Sequence, residues 1–270
     1  YSRLTRSNAH VNMWAQDYPE QCIELPFPKQ MMQSRGEDGC PNLVLFGAAR
    51  SGKSALINTL FSALNSRMIK VTRAGEPTLD FVRYDNVLFQ AGDVPTPFTI
   101  SDTTALRRDD GVMGAARNII KGRYRNNSKM DNGWRCVKAM AHESKRVHGV
   151  VLVVDATGNA HVELATVLAE ICAEEDELPC AVAWTRSDEV DIPVLQEKVR
   201  SMILSFPRAV NFPVRAYTDD TGVLNPRLDG AVLECFEHIR RQAVRYIRYA
   251  AFEASVKLPL LPPRETVENV

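Results

Sequence analysis

The chain has 270 residues, 45% of them hydrophobic and 24% charged, with 33 Lys and Arg against 33 Asp and Glu. This usage excludes collagen-like, fibrous and wholly disordered classes, and a net charge of zero marks no general polyanion binder. The apolar run from His148 to Val154 falls far short of the roughly 20 residues a membrane-spanning helix requires.

The zero conceals an asymmetry. Residues 106–147 carry eleven Lys or Arg against four acids, whereas residues 159–192 carry nine acids and one Arg. Six cysteines (22, 40, 136, 172, 180 and 235) include no Cys-x-x-Cys pair and none at zinc-finger spacing from the five histidines. That pattern argues against a structural zinc site or a disulfide framework and for a reducing compartment. The cytoplasm is the expected location; because the sequence starts at Tyr1, a leader, an organelle or a cilium stays open.

In chain order, residues 1–41 show neither helix nor strand periodicity. They are punctuated by Pro19, Pro26, Pro28 and Pro41 and read as an extended arm, whose Trp14, Tyr18 and Phe27 suit contact with the core or a protein partner. At Asn42 a short apolar strand begins, followed by a Gly-bounded loop and a helix from Lys53. Leu56, Leu60 and Leu64 make its buried stripe. Further strands are expected at Phe81–Phe89, Phe98–Ser101, Val150–Val154, Ala181–Trp184 and Pro213–Ala216. Helices are expected at Val162–Ala173, Val194–Phe206 and Asp229–Ala254. The alternation predicts an α/β fold, a mainly parallel sheet with helices on both faces, over residues 42–254. Residues 106–147 form a basic insert, and residues 255–270 a Pro-rich tail.

Gly47-Ala-Ala-Arg-Ser-Gly-Lys-Ser54 matches G-x-x-x-x-G-K-[ST] between a strand and a helix, which identifies a P-loop. Gly47 and Gly52 permit a tight loop whose backbone N–H groups, through Arg50, Ser51 and Ala55, converge on phosphate oxygens. Lys53 places charge on the β- and γ-phosphates, Ser54 offers a hydroxyl to Mg²⁺, and the helix dipole assists.

Two downstream strands bear on which nucleotide is bound. Pro97–Thr103 ends in Asp102-Thr103, where a P-loop protein presents an Asp towards Mg²⁺. Asp155, at the end of another strand, competes for that role, but no Glu follows it as an ATPase water activator would. Ala181–Asp188 ends in Thr185-Arg186-x-Asp188, similar to the Asn/Thr-Lys-x-Asp guanine motif. There the Asp accepts hydrogen bonds from guanine N1–H and the 2-amino group, a donor pair adenine lacks. Val214-Arg215-Ala216-Tyr217 stands where such proteins touch guanine O6 through backbone N–H. The expected ligands are GTP or GDP with Mg²⁺.

Departures limit the expected catalysis. Asp102-Thr-Thr-Ala105 replaces Asp-x-x-Gly at the γ-phosphate, and no Gln follows to orient water. Arg186 replaces the guanine-stacking Lys. Thr72 and Thr78 are both candidates for the switch Thr that closes on the metal. Hydrolysis is therefore expected to be weak or partner-dependent.

The P-loop with Leu56-Ile-Asn-Thr-Leu, the Asp102-Thr segment and Asp109-Asp110 resemble the interferon-induced protein 44 family of GTPase-like proteins, related to dynamins and septins. So do Ile119-Ile-Lys-Gly122, Tyr124–Asn127, His148–Ala156 and Thr185–Asp188. The resemblance implies a cytoplasmic nucleotide-binding protein associated with antiviral responses and microtubular aggregates, without a defined enzymatic role. Two readings of the basic insert stand side by side: a surface for RNA or acidic tubulin tails, or a solvated helix–loop facing the acidic 159–192 surface. The alternative to a switch is a GTPase-like structural subunit of a large assembly, a microtubule-associated complex or a ribonucleoprotein such as a ribosome assembly particle.

Overall fold

The computed structural model describes residues 40–72, 80–90, 95–105, 111–124, 128–129, 145–159, 161–217 and 225–257. Residues 1–39 of the arm, Thr78, most of the basic insert and residues 258–270 of the tail lie outside the described residues. The elements are β1 (Asn42–Phe46), α1 (Lys53–Asn65), β2 (Asp80–Gln90), β3 (Pro95–Asp102), α2 (Gly111–Ile120) and β4 (Ser128–Lys129). They continue with β5 (Gly149–Asp155), α3 (Val162–Glu174), β6 (Cys180–Thr185), a 3-10 turn (Ser187–Glu189), α4 (Ile192–Ser205), β7 (Val210–Pro213) and α5 (Pro226–Lys257).

The strands form one sheet in the order β4-β2-β3-β1-β5-β6-β7. From β3 to β7 every pairing is parallel, and only β2 runs antiparallel, against β3 and β4. Strand alternation sorts the core into two layers. Leu43, Leu45, Val151 and Val153 face Leu56, Leu60, Phe236 and Ile239, so α1 and α5 cover one side. Val44, Phe46, Leu152 and Val154 face Ile119, Leu168, Val199 and Met202, so α2, α3 and α4 cover the other. The fold is thus α/β with a mostly parallel sheet between helical layers. Each fully buried Leu, Ile or Phe contributes about 1.5–3 kcal/mol.

Several expected boundaries move, among them the start of β3, at Pro95 rather than Phe98, and the ends of α5, at Pro226 and Lys257 rather than Asp229 and Ala254. The last strand is Val210–Pro213, not Pro213–Ala216. Pro213 lacks an N–H, and it closes the ladder that runs from Ala181↔Val210 to Trp184↔Pro213. The indole N–H of Trp184 donates to Asn211 Oδ1 at 2.9 Å and helps fix that register. α4 starts at Ile192 rather than Val194, because Pro193 in the first turn needs no hydrogen-bond partner for its nitrogen.

Candidate functional site

The loop from Gly47 to Ser54 leaves the C-terminal end of β1 and enters α1 directly. Its glycines are required by contact. A Cβ on Gly47 would lie 2.4 Å from Val153 O and 2.6 Å from Ser51 Oγ. Gly52 has φ 91°, and a Cβ there would press on the Thr185 side chain at 3.1 Å. Between them Arg50 holds a left-handed φ of 60°, a conformation non-glycine residues rarely adopt.

The Lys53 ammonium donates to Gly47 O at 3.0 Å and Ala48 O at 2.9 Å. Burial lowers its pKa to about 8, against the opposing charge of Asp102. Ser54 Oγ donates to Asp102 Oδ2 at 2.7 Å. Asp102 is 1% exposed, and burial raises its pKa, opposed by the Ser54 hydrogen bond and the Lys53 charge. Its Oδ1 is buried with no hydrogen-bond partner among the described residues, as is Ser51 Oγ. Orphaned buried acceptors of this kind are uncommon and call for a ligand or an ion. Thr103, next along, anchors the strand end by donating to Leu45 O at 2.7 Å.

Asp155 stands differently. Its Oδ1 accepts from the backbone N–H and the hydroxyl of Thr157 at 2.9 and 2.7 Å, and its Oδ2 pairs with Arg186. β3 and β5 both border β1, and of the two acids at their ends only Asp102 holds the P-loop serine.

A second segment docks on the loop. Thr185 Oγ1, at the end of β6, donates to Ser51 O at 2.7 Å. Arg186 follows in left-handed conformation, φ 53°, with its side chain held by Asp155 rather than free over the cleft. Asp188 sits in the 3-10 turn, 3.0 Å from a guanidinium nitrogen of Arg215. The turn and the 214–217 segment are tied together, since Ser187 Oγ donates to Val214 O at 3.2 Å. Tyr217, after the half-buried Ala216, donates its backbone N–H to Thr59 Oγ1 at 2.8 Å. Sequence positions 47–54, 185–188 and 214–217 are therefore gathered at the carboxyl ends of the parallel strands β1, β6 and β7.

The region after α1 is also fastened. Asn58 Oδ1 accepts from the backbone N–H groups of Val71 and Thr72 at 2.9 Å each, and Asn58 Nδ2 donates to Thr72 O at 3.1 Å. The Thr72 hydroxyl donates to Ser54 O at 2.9 Å, so its proton is engaged by the backbone of α1. Asn58 and Thr59 are site residues that the sequence reading missed. Their signal was polarity on the buried side of an otherwise apolar helix.

Three partly exposed basic residues of the insert pair with acids. Arg117 on α2 makes two bonds to the Glu174 carboxylate, at 2.9 and 2.6 Å. Lys121 and Arg146 pair with Glu175 at 3.1 and 3.3 Å, and the Tyr246 hydroxyl of α5 donates to Glu175 O at 2.9 Å. Tyr124 is buried, its ring centroid 5.9 Å from that of Phe81. Among the described residues of the insert, Arg117, Lys121 and Arg146 thus meet acids of the 159–192 segment.

The P-loop between β1 and α1, an Asp-ended strand beside β1 and an antiparallel β2 beyond it make this an α/β fold with a P-loop at the carboxyl end of a central strand. No protein-family model matches the chain, and no curated protein matches it. Among solved structures it is similar to a bacterial selenocysteine-specific elongation factor, EF-Sec, at a TM-score of 0.44 and 16% identity. That similarity covers 74% of this chain and 29% of the elongation factor, so the chain spans less than a third of that protein's length. No helix among the described residues is long and apolar enough to cross a membrane.

Proposed function

We propose that the chain binds guanine nucleotide with Mg²⁺ and hydrolyses GTP slowly, or at a useful rate only with a partner. The observation that carries this reading is the bond from Thr185 to Ser51 O, which sets the Asp188 turn against the phosphate loop at a fixed distance. A nucleotide gripped by the 47–54 backbone would then meet Asp188 with the donor edge of its base. The backbone N–H groups of Arg215 and Ala216 are the donors for guanine O6.

The residues present fit a divalent cation. Asp102 Oδ1 is a buried acceptor with no partner among the described residues, beside a hydroxyl suited to metal ligation. Ser54 and Asp102, through water in the case of Asp102, would hold Mg²⁺, with Thr78 the remaining candidate. Bound there, the ion would neutralise charge on the β- and γ-phosphate oxygens. Lys53 would exchange its two loop carbonyls for phosphate oxygens, and burial would strengthen that contact.

A second reading is favoured by the ion pairs on α2. This helix follows the Asp102–Ala105 segment, and Arg117 and Lys121 pin it to Glu174 and Glu175. A domain whose would-be moving helix is fastened suits a structural subunit that keeps its nucleotide. In either case residues 1–41 are the proposed site for a protein partner. The interferon-induced protein 44 resemblance has no support among the comparisons, and neither reading depends on it.

The test is to denature purified protein, identify released nucleotide by chromatography, and titrate nucleotide-free protein with fluorescent GDP and ADP. GDP binding at least tenfold tighter than ADP, lost in Asp188→Ala, is the expected result. Equal affinity for the two overturns the guanine assignment.

A further inference from the structure

Four cations surround the loop and its neighbouring turns, and each is engaged. Lys53 donates to Gly47 O and Ala48 O, and Lys198 Nζ donates to Ala156 O and Gly158 O at 2.5 and 2.8 Å. Arg186 pairs with Asp155, and Arg215 with Asp188. Arg50 differs from all of them. It lies three residues before Lys53, is exposed, and has no hydrogen bond or ion pair among the described residues. Its backbone keeps φ 60° in a loop where glycine would do so without strain. A strained residue inside a phosphate cradle points to a task for its side chain.

The chemistry of the proposed reaction lacks one component. When GTP is hydrolysed, a water oxygen bonds to Pγ while the bond from Pγ to the β–γ bridging oxygen breaks. The electron pair stays on that oxygen, which leaves as part of GDP, and the water proton passes to phosphate and solvent. Charge therefore grows on the bridging oxygen. Asp102-Thr-Thr-Ala105 supplies no Gln, so water orientation contributes little, and stabilising that charge must carry more of the rate.

Building on the guanine-nucleotide reading, we infer that Arg50 is a catalytic residue acting within its own chain: its guanidinium donates to the bridging and γ-phosphate oxygens as the Pγ–O bond breaks. Its planar fork matches two oxygens at once, which an ammonium does not.

The experiment compares wild type with Arg50→Gly, which suits the backbone conformation, and Arg50→Lys, which keeps the charge without the fork. Three quantities are read: affinity for fluorescent GDP, single-turnover GTP hydrolysis, and the gain in GDP affinity when aluminium fluoride is added as a mimic of the transferring phosphoryl group. Arg50→Gly is expected to keep GDP affinity within about threefold and to lose about 100-fold or more in both rate and aluminium fluoride gain. Arg50→Lys is expected between the two. An unchanged rate, or equal losses in GDP affinity and rate, overturns the catalytic role. So does a wild type that binds GTP yet neither hydrolyses it nor responds to aluminium fluoride. A wild type that binds no guanine nucleotide overturns the underlying functional reading instead, which separates the two failures.

Discussion

The two ends of the candidate site are built on opposite principles. At the phosphate end Lys53, Asp102 and Ser51 are buried, and two polar atoms, Asp102 Oδ1 and Ser51 Oγ, have no hydrogen-bond partner among the described residues. At the base end the side chains of Asp188 and Arg215 are 39% and 50% exposed and already bound to each other. One end is desolvated and short of partners. The other is wet and self-satisfied. Buried groups are already stripped of water, so a ligand gains the full strength of each hydrogen bond there. At the exposed end every contact must first replace an ion pair or solvent. Affinity should therefore come mainly from the phosphates, and base preference from a smaller difference.

The strongest way to break that contrast is Gly47→Ala. Its Cβ would overlap Val153 O, a backbone atom of a central strand that cannot step aside. A loss of about 3 kcal/mol in unfolding free energy is expected, with no measurable GDP binding in titration calorimetry. Were the variant to bind normally, the phosphate end would not be the rigid one.

Next in size is Asp188→Asn. The amide donates where the carboxylate accepted, so it suits xanthine, whose C2 carries an oxygen. GDP affinity should fall about 100-fold while xanthosine diphosphate gains. Equal loss of both would mean that the base end does not read the purine.

Glu175→Gln probes the fastening of α2. The carboxylate is 10% exposed and faces both Lys121 and Arg146, so neutralising it should cost about 2 kcal/mol in chemical denaturation. Faster amide exchange across α2 is expected to accompany that loss. An unchanged exchange pattern would show that the Arg117–Glu174 pair and the apolar contacts of Ala116, Ile119 and Ile120 hold the helix without Glu175.

Arg215→Ala gives the smallest effect and sharpens the comparison most. Removing the competitor for Asp188 should raise GDP affinity about two- to fivefold, in line with an exposed ion pair worth up to about 1 kcal/mol. A fall in affinity would mean the guanidinium contacts the base.

The parts of the fold that could be read from the sequence are those whose signal is local. Gly47 to Ser54 sits between its own strand and helix within a few residues, and the unbroken apolar runs Val150–Val154 and Ala181–Trp184 mark central parallel strands buried on both faces. What escaped depends on distant pairs. Nothing near Arg117 predicts Glu174, and the Asp155–Arg186 pair arises only because β5 and β6 lie side by side. Thr72 also carried an ambiguous signal, since its hydroxyl is claimed by Ser54 O through a fold of the chain around Asn58. The charge asymmetry was visible, but its meaning was not. Equal and opposite patches describe a partner surface and an internal seam equally well until the chain is folded.

Asn58 and Thr59, adjacent on α1, hold the 71–72 segment and the 214–217 loop respectively. The same helix begins at the phosphate loop, so it works as a shared axle. A displacement of α1 along its length would reach both flanks together. The consequence is evolutionary as well as mechanical: neither flank can be retuned alone. Substitutions accepted at positions 71–72 should track those at 214–217, through a helix that touches both and belongs to neither.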